Sequence, residues 1–160
     1  MPFDRKVARN RAHRAGELVA IGLLIFIAAP LWAQSGPSVQ ILVGSRVVYP
    51  IDMISFPDTI SGTSSQALEF TLFNRGQAPI DLPQKNAVVI SGGDAAAFSV
   101  SRVPDSIVQR QSSTNFDLVF TPPGVGAYSA TVTVTTSDSV NPKISFEIFG
   151  YGSPNGPSGS

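Results

Sequence analysis

Hydrophobic and polar residues alternate with a period of two along most of the chain from Met53 onward. Alternation of this kind puts every second side chain on one face of an extended strand, so it predicts sheets with one buried face. Four segments show the pattern most clearly. Their inward positions are Leu68, Phe70 and Leu72; Phe116, Leu118 and Phe120; Tyr128, Ala130, Val132 and Val134; and Ile144, Phe146 and Ile148.

Turn-forming residues bound these segments. The first run stops at Asn74-Arg75-Gly76, where Asn and Gly tolerate the positive φ of a turn, and the second stops at Pro122-Pro123-Gly124, which cannot continue a ladder. Asp94 precedes three alanines, a pattern that predicts an N-capped single helical turn. Shorter apolar pieces between the long runs contain Ile80, Leu82, Val88, Ile90, Phe98 and Val100.

Seven or more short strands without amphipathic helices predict an all-β fold. We favour an immunoglobulin-like antiparallel β-sandwich of seven to nine strands. Tyr128, two residues before Ala130, occupies the position of the tyrosine corner of immunoglobulin domains, whose hydroxyl bonds to nearby backbone. An ordinary strand tyrosine explains the same residue equally well.

The first 33 residues differ from the rest of the chain. Five basic and two acidic residues precede a 16-residue apolar run from Leu18 to Ala33. This pattern predicts a signal-peptide helix over residues 1–33, cleaved after Ala33, because the run is shorter than the roughly 20 residues that span a membrane. Leu31 is bulky for a cleavage site, so an uncleaved membrane anchor is the alternative. Both interpretations predict export.

The remaining chain divides into three parts. Residues 34–52 are predicted to form an amino-terminal strand segment packing on the sandwich, with a strand at Val39–Val43. Residues 53–152 form the sandwich. Residues 153–160 contain only Gly, Ser, Pro and Asn, which predicts a disordered tail.

The charge of the chain limits the kinds of partner it can bind. Beyond residue 33 the chain has six basic and nine acidic residues, a net charge near −3, and no cysteine anywhere. Without a basic cluster it cannot neutralise a run of phosphates, so no nucleic-acid partner is predicted. A membrane partner is predicted only if the amino-terminal segment stays uncleaved.

Several strings together are similar to the ASH-type immunoglobulin-like family, and within it to the bacterial domains called choice-of-anchor D. They cover roughly residues 54 to 152 and comprise residues 70–76 (FTLFNRG), 79–82 (PIDL), 89–100 (VISGGDAAAFSV), 116–122 (FDLVFTP), Gly126, 130–134 (ATVTV), Asn141-Pro142 and 150–152 (GYG). The resemblance implies a sandwich in exported bacterial proteins that acts in surface attachment or scaffolding, with no catalytic residues. This chain has one copy where relatives often have several.

The side chains needed for catalysis are scarce. The one histidine, His13, lies in the segment predicted to be removed, which excludes a Ser-His-Asp triad. Lys85 and Lys143 stand in turn or strand-start contexts, where a lysine is solvated rather than desolvated beside a serine nucleophile. The sequence therefore predicts no enzyme, no catalytic residue and no cofactor.

Five aspartates leave one alternative open. Loops gather at the two ends of a sandwich, so some of these carboxylates could converge on calcium, which takes six to eight oxygen ligands. The residues concerned are Asp52, Asp58, Asp94, Asp105 and Asp138. Solvated turn aspartates are the favoured interpretation, because Asp is common in turns whatever its function.

Four apolar residues stand at positions expected to face outward: Phe73, Val119, Phe149 and Tyr151. Contiguous exposed apolar surface marks an interface, so they form a candidate interaction patch. Alternatively, the amino-terminal segment from Val39 to Tyr49 folds over them. The sequence thus predicts an exported module that binds a protein or another envelope component, with a calcium-assisted carbohydrate-binding domain as the alternative.

Overall fold

The computed structural model describes residues 36–154, so the predicted signal peptide and the tail from residue 155 lie outside the described residues. Twelve strands form within this range. They are β1 (Val39–Val43), β2 (Arg46–Val48), β3 (Met53–Ser55), β4 (Thr59–Ile60), β5 (Leu68–Asn74), β6 (Ile80–Asp81), β7 (Val88–Ser91), β8 (Phe98–Arg102), β9 (Ile107–Val108), β10 (Ser113–Phe120), β11 (Gly126–Thr135) and β12 (Lys143–Ser153). A single 3-10 turn covers Ala95–Ala97. In the part of the chain that the structure describes, no helix has the length and apolar character to cross a membrane.

The strands build two main sheets. The first has the order β2-β1-β5-β10-β8, and the second has the order β3-β12-β11-β7 with β4 also paired to β12. A third, two-stranded sheet joins β6 to β9.

Seven strands reproduce the immunoglobulin frame. That frame has strands A, B, E and D in one sheet and C, F and G in the other. Here β1, β5, β10 and β8 occupy the first set in that order, and β7, β11 and β12 occupy the second. The fold is therefore an all-β, immunoglobulin-like sandwich, as the alternation predicted.

Two short strands depart from antiparallel pairing. β3 and β4 both run parallel to β12, with Ile54 opposite Ile148 and Ile60 opposite Ser153. The chain therefore changes sheets between β2 and β3. β1 and β2 form a hairpin at the edge of the first sheet, so the amino-terminal segment extends that sheet. β12 continues to Ser153, which is buried, so the ordered sandwich reaches slightly beyond residue 152.

Aromatic rings fill the space between the sheets. Phe70 of β5 stacks on Phe116 of β10 and on Phe146 of β12, with ring centroids 5.0 and 5.3 Å apart. Phe120 stacks on Phe98 at 4.9 Å. Each fully buried ring of this size stabilises the fold by about 1.5–3 kcal/mol, so this aromatic layer is a large part of the driving force.

The turn after β5 is built differently from the prediction. Neither Asn74 nor Gly76 is among the residues with positive φ. Asn74 is instead fully buried and acts through its side chain, whose Oδ1 accepts from the backbone N–H groups of Ser38 (3.3 Å) and Gly76 (2.9 Å). Its Nδ2 donates to the carbonyl oxygens of Ala78 (2.8 Å), Val108 (3.1 Å) and Gln109 (3.3 Å). Glycine is required at position 76 because a Cβ there would collide with the backbone of Gly36 and Ser38.

Tyr128 stands beside the turn that precedes β11, as a tyrosine corner would. A Cβ built at Gly124 would lie 3.3 Å from its hydroxyl, and its ring contacts Phe120 with centroids 5.9 Å apart. Within residues 36–154, however, its hydroxyl has no hydrogen-bond partner. The residue therefore acts as a packing tyrosine at the rim of the core.

Candidate functional site

The four outward apolar residues lie on two opposite faces of the sandwich. Phe73 on β5 and Val119 on β10 belong to the first sheet, while Phe149 and Tyr151 on β12 belong to the second. Their chain neighbours point into the core, so all four point away from it. They consequently do not form one contiguous patch, since the core separates the two pairs.

Their exposure is modest. Tyr151 is 39% exposed, and the other three are half-buried. Phe73 is flanked in the sheet by Gln40 of β1 and Ser113 of β10. The amino-terminal hairpin thus lies beside Phe73 in the same sheet and does not fold over the outer face.

The five aspartates are not brought together. Among residues 36–154, no three carboxylate or histidine side chains are placed to hold a metal ion. Asp105 Oδ2 accepts from the hydroxyl of Thr114 at 3.0 Å, and Asp58 lies exposed beside β4. The structure therefore gives no support to a calcium centre built from these residues.

Asp94 was predicted to cap the helical turn, and this is wrong. Its side chain makes no capping hydrogen bond to the 3-10 turn. Its Oδ2 accepts instead from the backbone N–H of Ser129 on β11, at 3.0 Å. The pairing of β7 with β11 ends at Ser91 opposite Thr131, so the Asp94 carboxylate supplies an acceptor beyond the end of that ladder.

Asp138 is a buried carboxylate that holds the first strand in place. Its Oδ2 accepts from the backbone N–H of Val39 at 3.1 Å, and its Oδ1 accepts from that of Val140 at 2.9 Å. Burial by itself raises the pKa of Asp138, but hydrogen bonds from Val39, Val140 and Asn141 favour the charged form and bring its pKa below the ordinary value. The charged carboxylate thus links the loop between β11 and β12 to the start of β1.

A protruding apolar segment lies where the chain crosses from the first sheet to the second. Tyr49, Ile51 and Met53 are 63%, 93% and 54% exposed. They alternate along the crossing, with Pro50 and Asp52 between them. We call these three residues the apolar ridge.

Ile51 has a strained backbone at the tip of the ridge. Its φ is +71°, in the left-handed region that a β-branched residue rarely adopts. The conformation is held by a turn in which the N–H of Asp52 donates to the carbonyl of Tyr49 at 3.0 Å. It is also held by the N–H of Ile51 itself, which donates to the carbonyl of Ser145 on β12 at 3.3 Å.

Asp52 fastens the base of the ridge. Its Oδ2 accepts from the N–H of Tyr49 at 3.0 Å and forms an ion pair with Arg46 at 3.0 Å. Its carbonyl accepts from the N–H of Glu147 at 2.7 Å. The aspartate considered as a calcium ligand therefore has a structural role in presenting the ridge.

Two grooves are lined in part by residues of this crossing. One, of about 240 Å³, is lined by Ile51, Thr131, Ser145, Phe146 and Glu147. The other, of about 270 Å³, has Tyr49, Pro50, Asn141 and Ile144 among its lining residues. A larger cleft of about 390 Å³ lies elsewhere and is formed within residues 57–66.

Comparison with known proteins places the fold and leaves the function open. No protein-family model matches the sequence, and no curated protein matches it. A protein of unknown function from Porphyromonas gingivalis W83 is similar in structure, with a TM-score of 0.54 and 15% identity over 76% of this chain. The match spans 50% of that protein's chain. The likeness is one of fold alone.

Two further solved structures align over a similar range. The ASH / PapD-like domain of human CEP192 (PapD-like domain 7) has a TM-score of 0.49 and 19% identity, covering 76% of this chain and 87% of that one. The N-terminal domain of PorA has a TM-score of 0.43 and 15% identity, covering 74% and 100%. Membership of the choice-of-anchor D group stays a prediction.

The ridge was missed by sequence reasoning for a physical reason. Pro50 is a normal second residue of a turn, but the third position of a turn with positive φ is the place of glycine or asparagine. Isoleucine there argues against such a turn. Only the mismatch itself, a β-branched residue after proline between two strands, could have drawn attention to Ile51.

Proposed function

We propose that this chain is an exported, non-catalytic module of the bacterial cell envelope that binds another protein through the apolar ridge. The observation that carries the proposal is Ile51, which is at once 93% exposed and strained at φ +71°. Backbone strain of this kind costs about 1–3 kcal/mol and clusters at binding sites and ligand clamps.

The composition of the ridge fits an interface. Tyrosine and methionine are enriched at protein interfaces, and charged residues are depleted at the interface centre. Charged groups adjoin the ridge: Asp52, between its residues, pairs with Arg46, and Glu147 lines a groove together with Ile51. A partner that covers the ridge would bury its apolar side chains and leave these charged groups at the solvent-accessible rim of the interface.

Ile51→Gly separates binding from folding. Glycine adopts positive φ without strain, so we expect the free energy of unfolding to rise by about 0.5–1 kcal/mol after its larger chain entropy is subtracted. Capture of the partner by crosslinking in the envelope fraction should fall at least tenfold, the loss of about 1.4 kcal/mol that truncating one anchor side chain causes. Urea unfolding and quantified pull-down measure the two effects.

Val140→Gly is the matched control. Val140 is 68% exposed in the loop after β11, and its φ is not positive, so glycine there removes an exposed apolar side chain without relieving strain. It should lower stability slightly and leave capture unchanged. Equal capture by Ile51→Gly and the unaltered chain would refute binding through the ridge.

Export has its own test. The proposal rests on the basic segment followed by the apolar run of residues 18–33. Mass spectrometry of the chain recovered from a bacterial periplasm should show an amino terminus at Gln34. Recovery of the intact chain from the cytoplasm would contradict export, whereas the intact chain in the membrane fraction would identify an uncleaved anchor.

A further inference from the structure

The open edge at β7 lacks the features that protect the other sheet edges. At the free edges of the first sheet, β8 has an irregular register and ends at Arg102, and β2 has three residues and begins with Arg46. β3, at the far side of the second sheet, also has only three residues. Bulges, charges and short length are the usual means of preventing edge-to-edge pairing.

β7 itself is apolar and uncharged. It comprises Val88-Val89-Ile90-Ser91 and pairs with β11 in regular register. It contains no proline, no charge and no bulge, and within residues 36–154 no strand is hydrogen-bonded to its other side. An edge of this composition is a template for another strand.

Two residues direct their backbone groups to that open side. The N–H of Thr135 donates to the carbonyl of Ala87, so Ala87 faces β11 with its hydrogen-bonding groups. Because these groups alternate along an antiparallel strand, Val89 and Ser91 also face β11, while Val88 and Ile90 face away. Each of the latter two offers one N–H and one C=O to a new strand.

The core is incompletely covered at the same place. Val88 and Ile90 point inward yet are only half-buried, whereas their partners Val134 and Val132 on β11 are fully buried. Val89 points outward and is 38% exposed. A strand added to β7 would satisfy the free backbone groups and cover these three side chains together.

We propose that the occupant of this edge is β7 of a second copy of the chain, paired antiparallel about a two-fold axis at Val89. Centring on Val89 places Val88 opposite the second copy's Ile90, and Ile90 opposite its Val88, so the free groups of both copies form roughly four main-chain hydrogen bonds. β7 of the second copy presents the same free N–H and C=O groups at the matching spacing. Because β7 has no charged residue, two copies of this edge meet without electrostatic repulsion. The pairing joins the two second sheets into one continuous sheet.

This pairing is separate from the proposed binding function. The apolar ridge lies at the β3 edge of the second sheet, with β12 and β11 between it and β7. A dimer through β7 therefore leaves both ridges free at the outer edges. Failure of the dimer would leave the ridge proposal standing, and failure of partner capture would leave the dimer standing.

A single-cysteine experiment tests the geometry, since the chain contains no cysteine of its own. In the proposed dimer the two copies of residue 89 form a non-hydrogen-bonded pair with Cα atoms about 4.5 Å apart. That distance lies within the range of about 4.4–6.8 Å that a disulfide spans. Full-length Val89→Cys should therefore oxidise to a covalent dimer at least ten times faster than Val140→Cys, in which the cysteine is exposed in the loop between β11 and β12, outside the proposed pairing.

Sedimentation equilibrium of the unaltered full-length chain tests the pairing without a substitution. The weight-average mass should rise to about one and a half times the monomer mass when the total concentration reaches about 1 mM, the dissociation constant of a weak complex, and should approach twice the monomer mass above it. Val89→Lys should return the mass to the monomer value, because two like charges would face each other across the axis. Val140→Lys should leave the dimer intact, and circular dichroism checks that both variants fold.

Three results with the purified chain would overturn the proposal. They are a monomer at every concentration, a dimer that Val89→Lys leaves unchanged, and crosslinking of Val89→Cys no faster than that of Val140→Cys. Crosslinking of Val89→Cys to a different protein in the envelope fraction, without self-crosslinking, would assign the edge to another partner and overturn the homodimer as well.

Discussion

Asn74→Ala should lower the free energy of unfolding by roughly 3–5 kcal/mol, a large part of the about 5–15 kcal/mol by which an ordinary domain is stable. The substitution removes five hydrogen bonds made by a fully buried side chain, of which those to Val108 and Gly76 are themselves buried. Each buried group left unpaired costs about 1–3 kcal/mol, partly offset where the cavity admits water. Urea unfolding followed by far-ultraviolet circular dichroism measures the loss.

Two further variants show whether hydrogen bonding or packing is responsible. Asn74→Asp keeps the shape but places an oxygen against the three carbonyls that Nδ2 now meets, so it should destabilise about as much as alanine. Asn115→Ala removes an amide from the outer face of β10 and should cost less than about 1 kcal/mol. If Asn74→Ala were no more harmful than Asn115→Ala, the network around Asn74 would have no energetic importance.

Asp138→Asn should lower the free energy of unfolding by about 2–3 kcal/mol at neutral pH. An amide retains one acceptor oxygen but turns an NH₂ group toward Val39 N–H or Val140 N–H, so one buried donor is opposed by another. Charge-assisted hydrogen bonds are about twice as strong as neutral ones, which adds to the loss. Urea unfolding of the variant and the unaltered chain measures the difference.

The difference in unfolding free energy between Asp138→Asn and the unaltered chain should shrink as the pH falls. The pKa of Asp138 is lower in the folded chain than in the unfolded chain. Its charged form therefore contributes fully above the unfolded pKa, about 3.9, and the contribution disappears as pH falls through the folded pKa. The difference in unfolding free energy between the two chains should be constant above about pH 5, and it should disappear as the pH falls below about 4.

Asp58→Asn serves as the control for that titration. Asp58 is exposed beside β4, so solvent screens its carboxylate. Its substitution should change stability by less than about 0.5 kcal/mol at any pH. If the difference in unfolding free energy between Asp138→Asn and the unaltered chain stayed the same from pH 7 to pH 2, the carboxylate charge would not be what holds β1.

Local alternation was enough to find the central strands. The inward residues of β5, β10, β11 and β12 were read correctly from period two, because each strand has one face on the core. Phe70, Phe116 and Phe146, from three of these strands, meet in the core as stacked rings. A regular strand with one buried face leaves a clear signal in a single sequence.

Non-local features could not be read in the same way. Alternation identified Phe73 and Phe149 as outward but says nothing about which sheet each strand joins, and they point from opposite faces. The parallel pairing of β3 and β4 with β12 joins residues far apart in the chain, and no residue type marks it. The candidate site was the hardest part to predict from the sequence, because its position depends on where the chain changes sheets.

Side-chain roles were also ambiguous where one residue type serves two purposes. Asn74 was assigned to a turn because asparagine tolerates positive φ, yet its value here lies in hydrogen-bonding both an N–H group and a carbonyl oxygen across three segments. Asp94 was assigned to a helix cap but binds β11. In both positions a tertiary contact determined the role that local pattern left open.

The parallel pairing of β3 and β4 with β12 has a mechanical consequence. A pull that reaches Asp52 from the amino-terminal side and Ser153 from the carboxy-terminal side draws the paired strands in opposite directions along their length. Their hydrogen bonds then bear the force together, in shear, whereas a hairpin opened from its end loses them one at a time. Forced unfolding is governed by the unfolding rate, so an arrangement that makes several bonds break at once resists tension. Under the proposed function, in which the chain holds a partner outside the cell, these paired strands would transmit load through the sandwich.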